Sequence, residues 1–370
     1  MKIIYDYKIF WSQKYGGISR YFVNIIKNFH KNKNKNKNID FKIIAPFYQN
    51  SYLNYEIDKK KIFGLYMKKK IPKTHFLFKQ FNKFFFKYSV HNFKPNLIHS
   101  TYYNENINKK KIPLIVTVYD LIHEKLAKEE GYEIFPKYKS LMMANHVICI
   151  SKKTKEDLIK FYNISENKIS VIYLGSDHAL SSPNKYENLN KDKPYILYVG
   201  SREKYKNFQF FLEGYSLSER LKMDFNLVLF GGGKLSNKEK KIISDLKIEH
   251  KNIIQIDEDD KKLYQLYKSS KMFIFPSIYE GFGLPLVEAM ANECPVICAK
   301  NKVFEEIAGD AVEYFDPTYV ESFKEKVEEV IYSNSRIKEL KLLGKAKSEN
   351  YSWKKCADET LKIYSKFTRN

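Results

Sequence analysis

The chain of 370 residues has no run of 18 apolar positions, so no segment reads as a membrane-crossing helix. Its opening, "MKIIYDYKIFW", is short and broken by Asp6 and Lys8, which argues against a signal peptide and predicts a cytoplasmic protein. Cysteine is scarce. Cys149, Cys294, Cys298 and Cys356 show no C-x-x-C spacing, and Cys149 and Cys298 lie inside apolar runs, so buried thiols are expected and neither a disulfide framework nor a zinc site is indicated. The eight histidines carry no ligand pattern. Acidic residues are in deficit, 43 Asp and Glu against 65 Lys and Arg, for a formal charge of +22. That balance attracts acidic partners such as phospholipid, nucleic acid or anionic glycan. The basic residues nevertheless spread over both halves without an RNA-binding signature, so no nucleic-acid partner is expected.

What is present is alternation of short apolar runs with longer amphipathic ones. "KIIYDY", "FKIIAPFY", "LIHS", "PLIVTVYD", "HVICIS" and "ISVIYLG" form one series, and "YILYVG", "NLVLFGGG", "NIIQI", "KMFIFP" and "PVICA" a second. Each series predicts an α/β unit with a parallel, doubly wound sheet. The polar segment Ser181–Pro194 separates them and reads as a hinge, giving Rossmann-like domains over 1–184 and 185–350, a division that suits the length. In the remaining residues, 351–370, Trp353, Ala357, Leu361 and Tyr364 recur at helical spacing. The tract Lys31–Asn38, "KNKNKNKN", reads as a solvated insertion.

The most informative stretch is Pro276–Glu293, "PSIYEGFGLPLVEAMANE". An apolar strand ends at Pro276, a glycine-rich turn follows, and a helix is expected near Pro285, where a missing N–H costs nothing. Gly281 and Gly283 allow close backbone approach, so the N–H groups around Phe282–Leu284 are placed for phosphate or sugar oxygens. Glu288, an anion near the helix start, is favoured by the helix dipole. One carboxylate takes both hydroxyls of a ribose, and a second across the turn reaches a hexose. Glu288 and Glu280 are those two.

The longer segment "PSIYEGFGLPLVEAMANECPVICA" resembles the nucleotide-binding signature of the retaining GT4 glycosyltransferases. The resemblance continues, in family order, through "YGGISRYF" (Tyr15–Phe22), "YILYVGSREKYKN" (Tyr195–Asn207), "LVLFGGG" (Leu227–Gly233) and "IAGDAVEYFDP" (Ile307–Pro317). It implies a GT-B architecture, two Rossmann-like domains facing across a cleft with the C-terminal helix crossing back to the first. It also implies a nucleotide-sugar donor held mainly by the second domain, and transfer of a hexose to a glycan or lipid-linked acceptor. "YGGISRYF" is similar to bacterial mannosyltransferases, making GDP-mannose the first expectation; UDP-glucose, UDP-GlcNAc and dTDP-rhamnose stay open. The competing readings are a basic, non-catalytic membrane- or nucleic-acid-binding protein and a GT-B epimerase or phosphorylase.

Breaking a sugar–diphosphate bond builds charge on the leaving group, which fixed cations stabilise. Arg202 and Lys206, in the loop leaving a strand at the carboxyl edge, are placed for that task. Gly231, Gly232 and Gly233 end another strand there and leave room for the nucleotide or diphosphate. Gly16 and Gly17 precede a helix and are expected to close over donor phosphate, against the alternative of a tight turn. "VTVYDLIHE" is similar to the family's "VTVHDLIHE", with Tyr119 where the family has histidine. A phenol is no base at neutral pH, so Asp120 is left to orient the acceptor hydroxyl; His123 is open to compensate, though a histidine at a helix start is more often structural. No enzyme nucleophile is evident. Front-face attack assisted by the leaving phosphate is therefore expected, with no metal and no cofactor beyond the donor. Asp257–Asp260, "DEDD", reads as helix-capping acid. Finally, Lys59–Lys94 interleaves lysines with aromatics, which suits an anionic membrane on the cytoplasmic face or, equally, a helix with its apolar side in the core.

Overall fold

Strands buried on both faces are written as continuous apolar runs, and that is how the central strands of both series behave in the computed structural model. It describes residues 1–31, 39–69, 74–104, 112–125, 135–176 and 193–368. In the first series the strands are β1 (Lys2–Tyr5), β2 (Asp40–Tyr48), β3 (Ile62–Tyr66), β4 (Leu97–Ser100), β5 (Leu114–Val118), β6 (His146–Cys149) and β7 (Ile169–Val171). In the second they are β8 (Tyr195–Val199), β9 (Asn226–Phe230), β10 (Ile253–Ile256), β11 (Met272–Phe275), β12 (Val296–Ala299) and β13 (Glu313–Phe315). The strand orders are β3-β2-β1-β4-β5-β6-β7 and β10-β9-β8-β11-β12-β13, with every pairing parallel. Both are doubly wound α/β sheets. Two strands escaped the sequence reading: β3, an edge strand hidden in the lysine-rich stretch, and β13, only three residues long.

The chain divides into two compact units, one of Met1–Leu174 with Trp353–Asn370 and one of Gly175–Ser352. The expected division at 184/185 falls in 177–192, outside the described residues, as do positions 32–38 of the lysine–asparagine tract. At the far end the second unit keeps Tyr351, whose hydroxyl donates to the Ile307 carbonyl at 2.8 Å and whose ring meets Phe282 at 5.7 Å. The helix that returns to the first unit is therefore Trp353–Lys366, two residues later than expected. Its Tyr364 hydroxyl lies 2.5 Å from Nδ1 of His99 on β4 and 3.1 Å from the Tyr5 hydroxyl on β1, while Nε2 of His99 meets the Thr117 hydroxyl at 2.8 Å. All four cysteines are free and buried, and burial raises their thiol pKa values, that of Cys294 to about 12. Asp259, within the acidic run, caps the helix Asp260–Ser269 by accepting from the Lys262 N–H.

Candidate active site

In a doubly wound sheet a crevice opens at the carboxyl ends of the strands where the order reverses. In the second unit that point lies between β8 and β11. The loop after β8 carries Arg202 and Lys206, the loop after β9 carries Gly231–Gly233, and the loop after β11 carries Glu280–Gly283. A backbone hydrogen bond from the Ile278 N–H to the Tyr205 carbonyl, 2.9 Å, ties the first loop to the third. Beside it Lys206 Nζ donates to Glu280 Oε1 at 2.5 Å, with the two side chains 14% and 12% exposed. Two site residues 74 positions apart are thus brought into one ion pair.

Arg202 is turned inward. Its Nε donates to Glu239 Oε1 at 2.5 Å, one terminal nitrogen to the Gly231 carbonyl at 3.1 Å, and the other to the carbonyls of Gly232, Gly233 and Lys234 at 2.9, 3.1 and 3.1 Å. The guanidinium holds the glycine loop together from beneath. The three glycines have φ of 78°, 73° and 70°, a left-handed run that side-chain-bearing residues rarely adopt. A Cβ on Gly232 would lie 2.6 Å from an Arg202 nitrogen. Partial burial pushes the Glu239 carboxyl pKa up, yet hydrogen bonds from Ser236 and Arg202 outweigh it and hold the group below its ordinary range. Glu239 was not anticipated; its only sequence signal was the Ser236-x-x-Glu239 capping box that opens its helix.

After β11 the helix Leu284–Ala291 begins with a proline in its first turn and with Gly283, φ 87°, at the cap, where no side chain accepts. A Cβ on Gly283 would come within 2.9 Å of the Phe304 ring. Gly281, Gly283 and Phe282 are buried, and the Phe282 ring faces Tyr351, so only its backbone can serve a ligand. Leu284 is partly exposed. Glu288 lies in the second turn and is 2% exposed. The dipole argument for Glu288 needs correction, because the field of a helix end fades within its first turn.

The first unit has its own reversal between β1 and β4. Asp6 sits there, fully buried, accepting from the Lys8 N–H at 3.0 Å, the Ser100 hydroxyl at 2.7 Å and the Thr101 hydroxyl. Burial raises its pKa. In the sequence Asp6 signals no more than an interruption of the N-terminal apolar run. Gly17 opens the helix Gly17–Lys31 with Gly16 just before it; a Cβ on Gly16 would strike Gln13 at 2.5 Å, whereas one on Gly17 meets nothing within 4 Å.

After β5, Tyr119 is 6% exposed, and burial pushes its phenol pKa well above the usual value. Asp120 caps the following turn, its Oδ1 accepting from the Ile122 N–H at 3.2 Å, and His123 lies in that turn. Behind them Lys137 Nζ donates to the Asp120 carbonyl at 3.1 Å and to Glu124 at 2.8 Å, and the Tyr162 hydroxyl donates to Glu124 at 2.5 Å. This buried bracket beneath Asp120 was missed, since one lysine among so many carries no signal.

Two family models match in succession: Glycosyltransferase Family 4 over residues 15–180 and Glycosyl transferases group 1 over 184–348. With the two Rossmann-like units these place the chain in the GT4 family of glycosyltransferases, with the GT-B fold. Among similar curated proteins is the O-antigen chain mannosyltransferase B of Escherichia coli, 28% identical over 61% of this chain and 62% of its own length. Another is the N-acetylgalactosamine-N,N'-diacetylbacillosaminyl-diphospho-undecaprenol 4-alpha-N-acetylgalactosaminyltransferase of Campylobacter jejuni, 30% identical over 45% of this chain and 45% of its own. The match thus spans from under half to about three-fifths of these relatives. Sucrose-phosphate synthase from Thermosynechococcus elongatus shares the fold, with a TM-score of 0.79 at 16% identity, covering 99% of this chain and 98% of that one.

Proposed function

We propose that this chain is a retaining glycosyltransferase that moves a hexose from a nucleoside-diphosphate sugar to a glycan or lipid-linked acceptor. The observation that carries the reading is the meeting of three carboxyl-edge loops, with the Lys206–Glu280 pair and the Arg202-braced glycine loop, at the point where the second sheet reverses its order. Lys206 meets the diphosphate charge that grows as the glycosidic bond breaks, and exchanges its contact with Glu280 for the phosphate. Glu280 then accepts from hexose hydroxyls and Glu288 from the ribose. The amides of Gly231 and Gly232 and those from Gly281 to Leu284 line the donor. In the first unit, Gly16 and Gly17 leave a helix N-terminus for a phosphate oxygen. Asp120 orients the acceptor hydroxyl, whose proton passes to the leaving phosphate in a front-face reaction without metal.

GDP-mannose is the proposed donor; the name of the E. coli relative supports the mannose but names no nucleotide. A lipid-linked acceptor is supported by the name of the C. jejuni relative. The protein then works in the cytoplasm, peripherally on a membrane. Thermal-shift titration with GDP-mannose, UDP-glucose, UDP-GlcNAc and dTDP-rhamnose tests the donor, since a ligand bound only by the folded state raises the melting temperature. GDP-mannose should give the largest shift, and its mannosyl group should pass to an acceptor with retained anomeric configuration as GDP leaves. Equal, negligible shifts for all four, together with no nucleoside diphosphate released in the presence of membrane extract, would overturn the transferase reading.

A further inference from the structure

The lysine–aromatic stretch, read from sequence as either membrane-facing or core, has one buried side and one exposed apolar side. The helix His75–Phe93 buries Asn82, Phe86 and Val90, four residues apart, on its inner side. Asn82 there bridges the Phe47 backbone, accepting from its N–H at 2.8 Å and donating to its carbonyl at 3.2 Å, where β2 shifts register against β3. On the opposite side Leu77, Phe81, Phe84 and Tyr88, at intervals of four, three and four, are 57%, 50%, 65% and 58% exposed. That spacing lines them up as one stripe along the helix. Ring contacts from Phe84 to Phe85 at 5.4 Å and from Phe85 to Phe63 at 6.3 Å extend the stripe to the edge strand β3. A continuous apolar surface of this kind marks an interaction site.

We propose that this face docks the first unit on an anionic bilayer. The inference deepens the lipid-linked acceptor reading and rests on it for its purpose alone; the geometry stands independently. Charge decides the occupant. Lys59–Lys94 contains eleven lysines and no Asp or Glu, and Lys79, Lys83 and Lys87, at four-residue intervals, form a row on the flank between the buried side and the stripe. A second copy would bring the same charge against itself. Anionic lipid headgroups complement it, while aromatic rings and lysine stems settle at the headgroup boundary.

The test is flotation of the full chain with vesicles of phosphatidylcholine alone or mixed with phosphatidylglycerol, beside a melting curve for each variant. The wild type should float with the anionic vesicles at low salt and lose most binding at high salt. A Leu77→Ser/Phe84→Ser/Tyr88→Ser variant should melt like the wild type and bind on the order of ten-fold more weakly. Phe86 is left out because it is 3% exposed and packs on Tyr7. Lys79→Glu/Lys83→Glu/Lys87→Glu, which leaves the core untouched, should lose on the order of 100-fold at low salt. The proposal falls if the wild type ignores anionic vesicles at low salt or if neither variant binds less. It also falls if the serine variant instead abolishes a wild-type dimer in sedimentation. Calorimetry with GDP in the same samples separates this from the donor reading: both variants should bind GDP as the wild type does.

Discussion

At the residue scale the two basic side chains expected at the diphosphate turn out to differ in kind. Lys206 has one carboxylate partner and a compact, mobile charge, so it can pivot from Glu280 to a phosphate at little structural cost. Arg202 has four backbone carbonyls and Glu239 in its fork, and its side chain is 5% exposed. Removing it strips a buried charge-assisted network and frees three glycines. Lys206→Ala is therefore expected to lower turnover on the order of 100-fold while costing less stability than loss of Arg202, because it leaves only one carboxylate without its cation. Arg202→Ala should lower turnover and also cost about 2 kcal/mol of stability, measured by denaturant titration. Equal stability of the two variants would show that the Arg202 contacts contribute nothing to holding the loop.

At the scale of elements, two glycines at helix starts separate a backbone need from a ligand need. Gly283 has φ 87° and no room for a methyl group beside Phe304, so Gly283→Ala should destabilise by about 1–3 kcal/mol whatever the site does. Gly17 has neither constraint: its φ is not left-handed and a Cβ there meets nothing. Gly17→Ala should leave stability unchanged or slightly raised. If its backbone serves a ligand, the same variant loses donor affinity in calorimetry; wild-type affinity would leave Gly17 as an ordinary turn residue.

At the scale of the whole molecule, the first unit is completed by the chain's last helix through Tyr364, His99 and Tyr5. His99 is fully buried, and burial lowers its pKa from 6.5 to about 3. Between those values the unfolded chain holds the proton and the folded chain does not, so stability falls as pH falls through this window. The loss should reach about 2 kcal/mol between pH 6.5 and 4.5. Asp6, with its pKa raised by burial, works in the opposite sense from the ordinary carboxylate value upward. The comparison of wild type with His99→Gln by urea titration at several pH values isolates the histidine: the variant should have a shallower acid limb. Parallel limbs would mean that His99 does not carry the effect.

The two α/β series, the glycine turn after β11 and the family signature were all legible in the sequence. They depend on local properties: apolar runs of strand length, proline and glycine at fixed places, and a motif contiguous in the chain. Tertiary structure alone joined Lys206 to Glu280, turned Arg202 under the glycine loop, set Asp6 between β1 and β4, and placed Lys137 behind Asp120. Each of these depends on a partner far away in sequence, supplied when parallel strands bring their carboxyl-end loops to one edge. The Phe84–Phe86 run shows the same limit most simply. All three residues are phenylalanine, yet Phe84 is 65% exposed and Phe86 is 3% exposed, because the rotational phase of a helix with apolar residues on both sides is set only when one side packs against β2 and Tyr7.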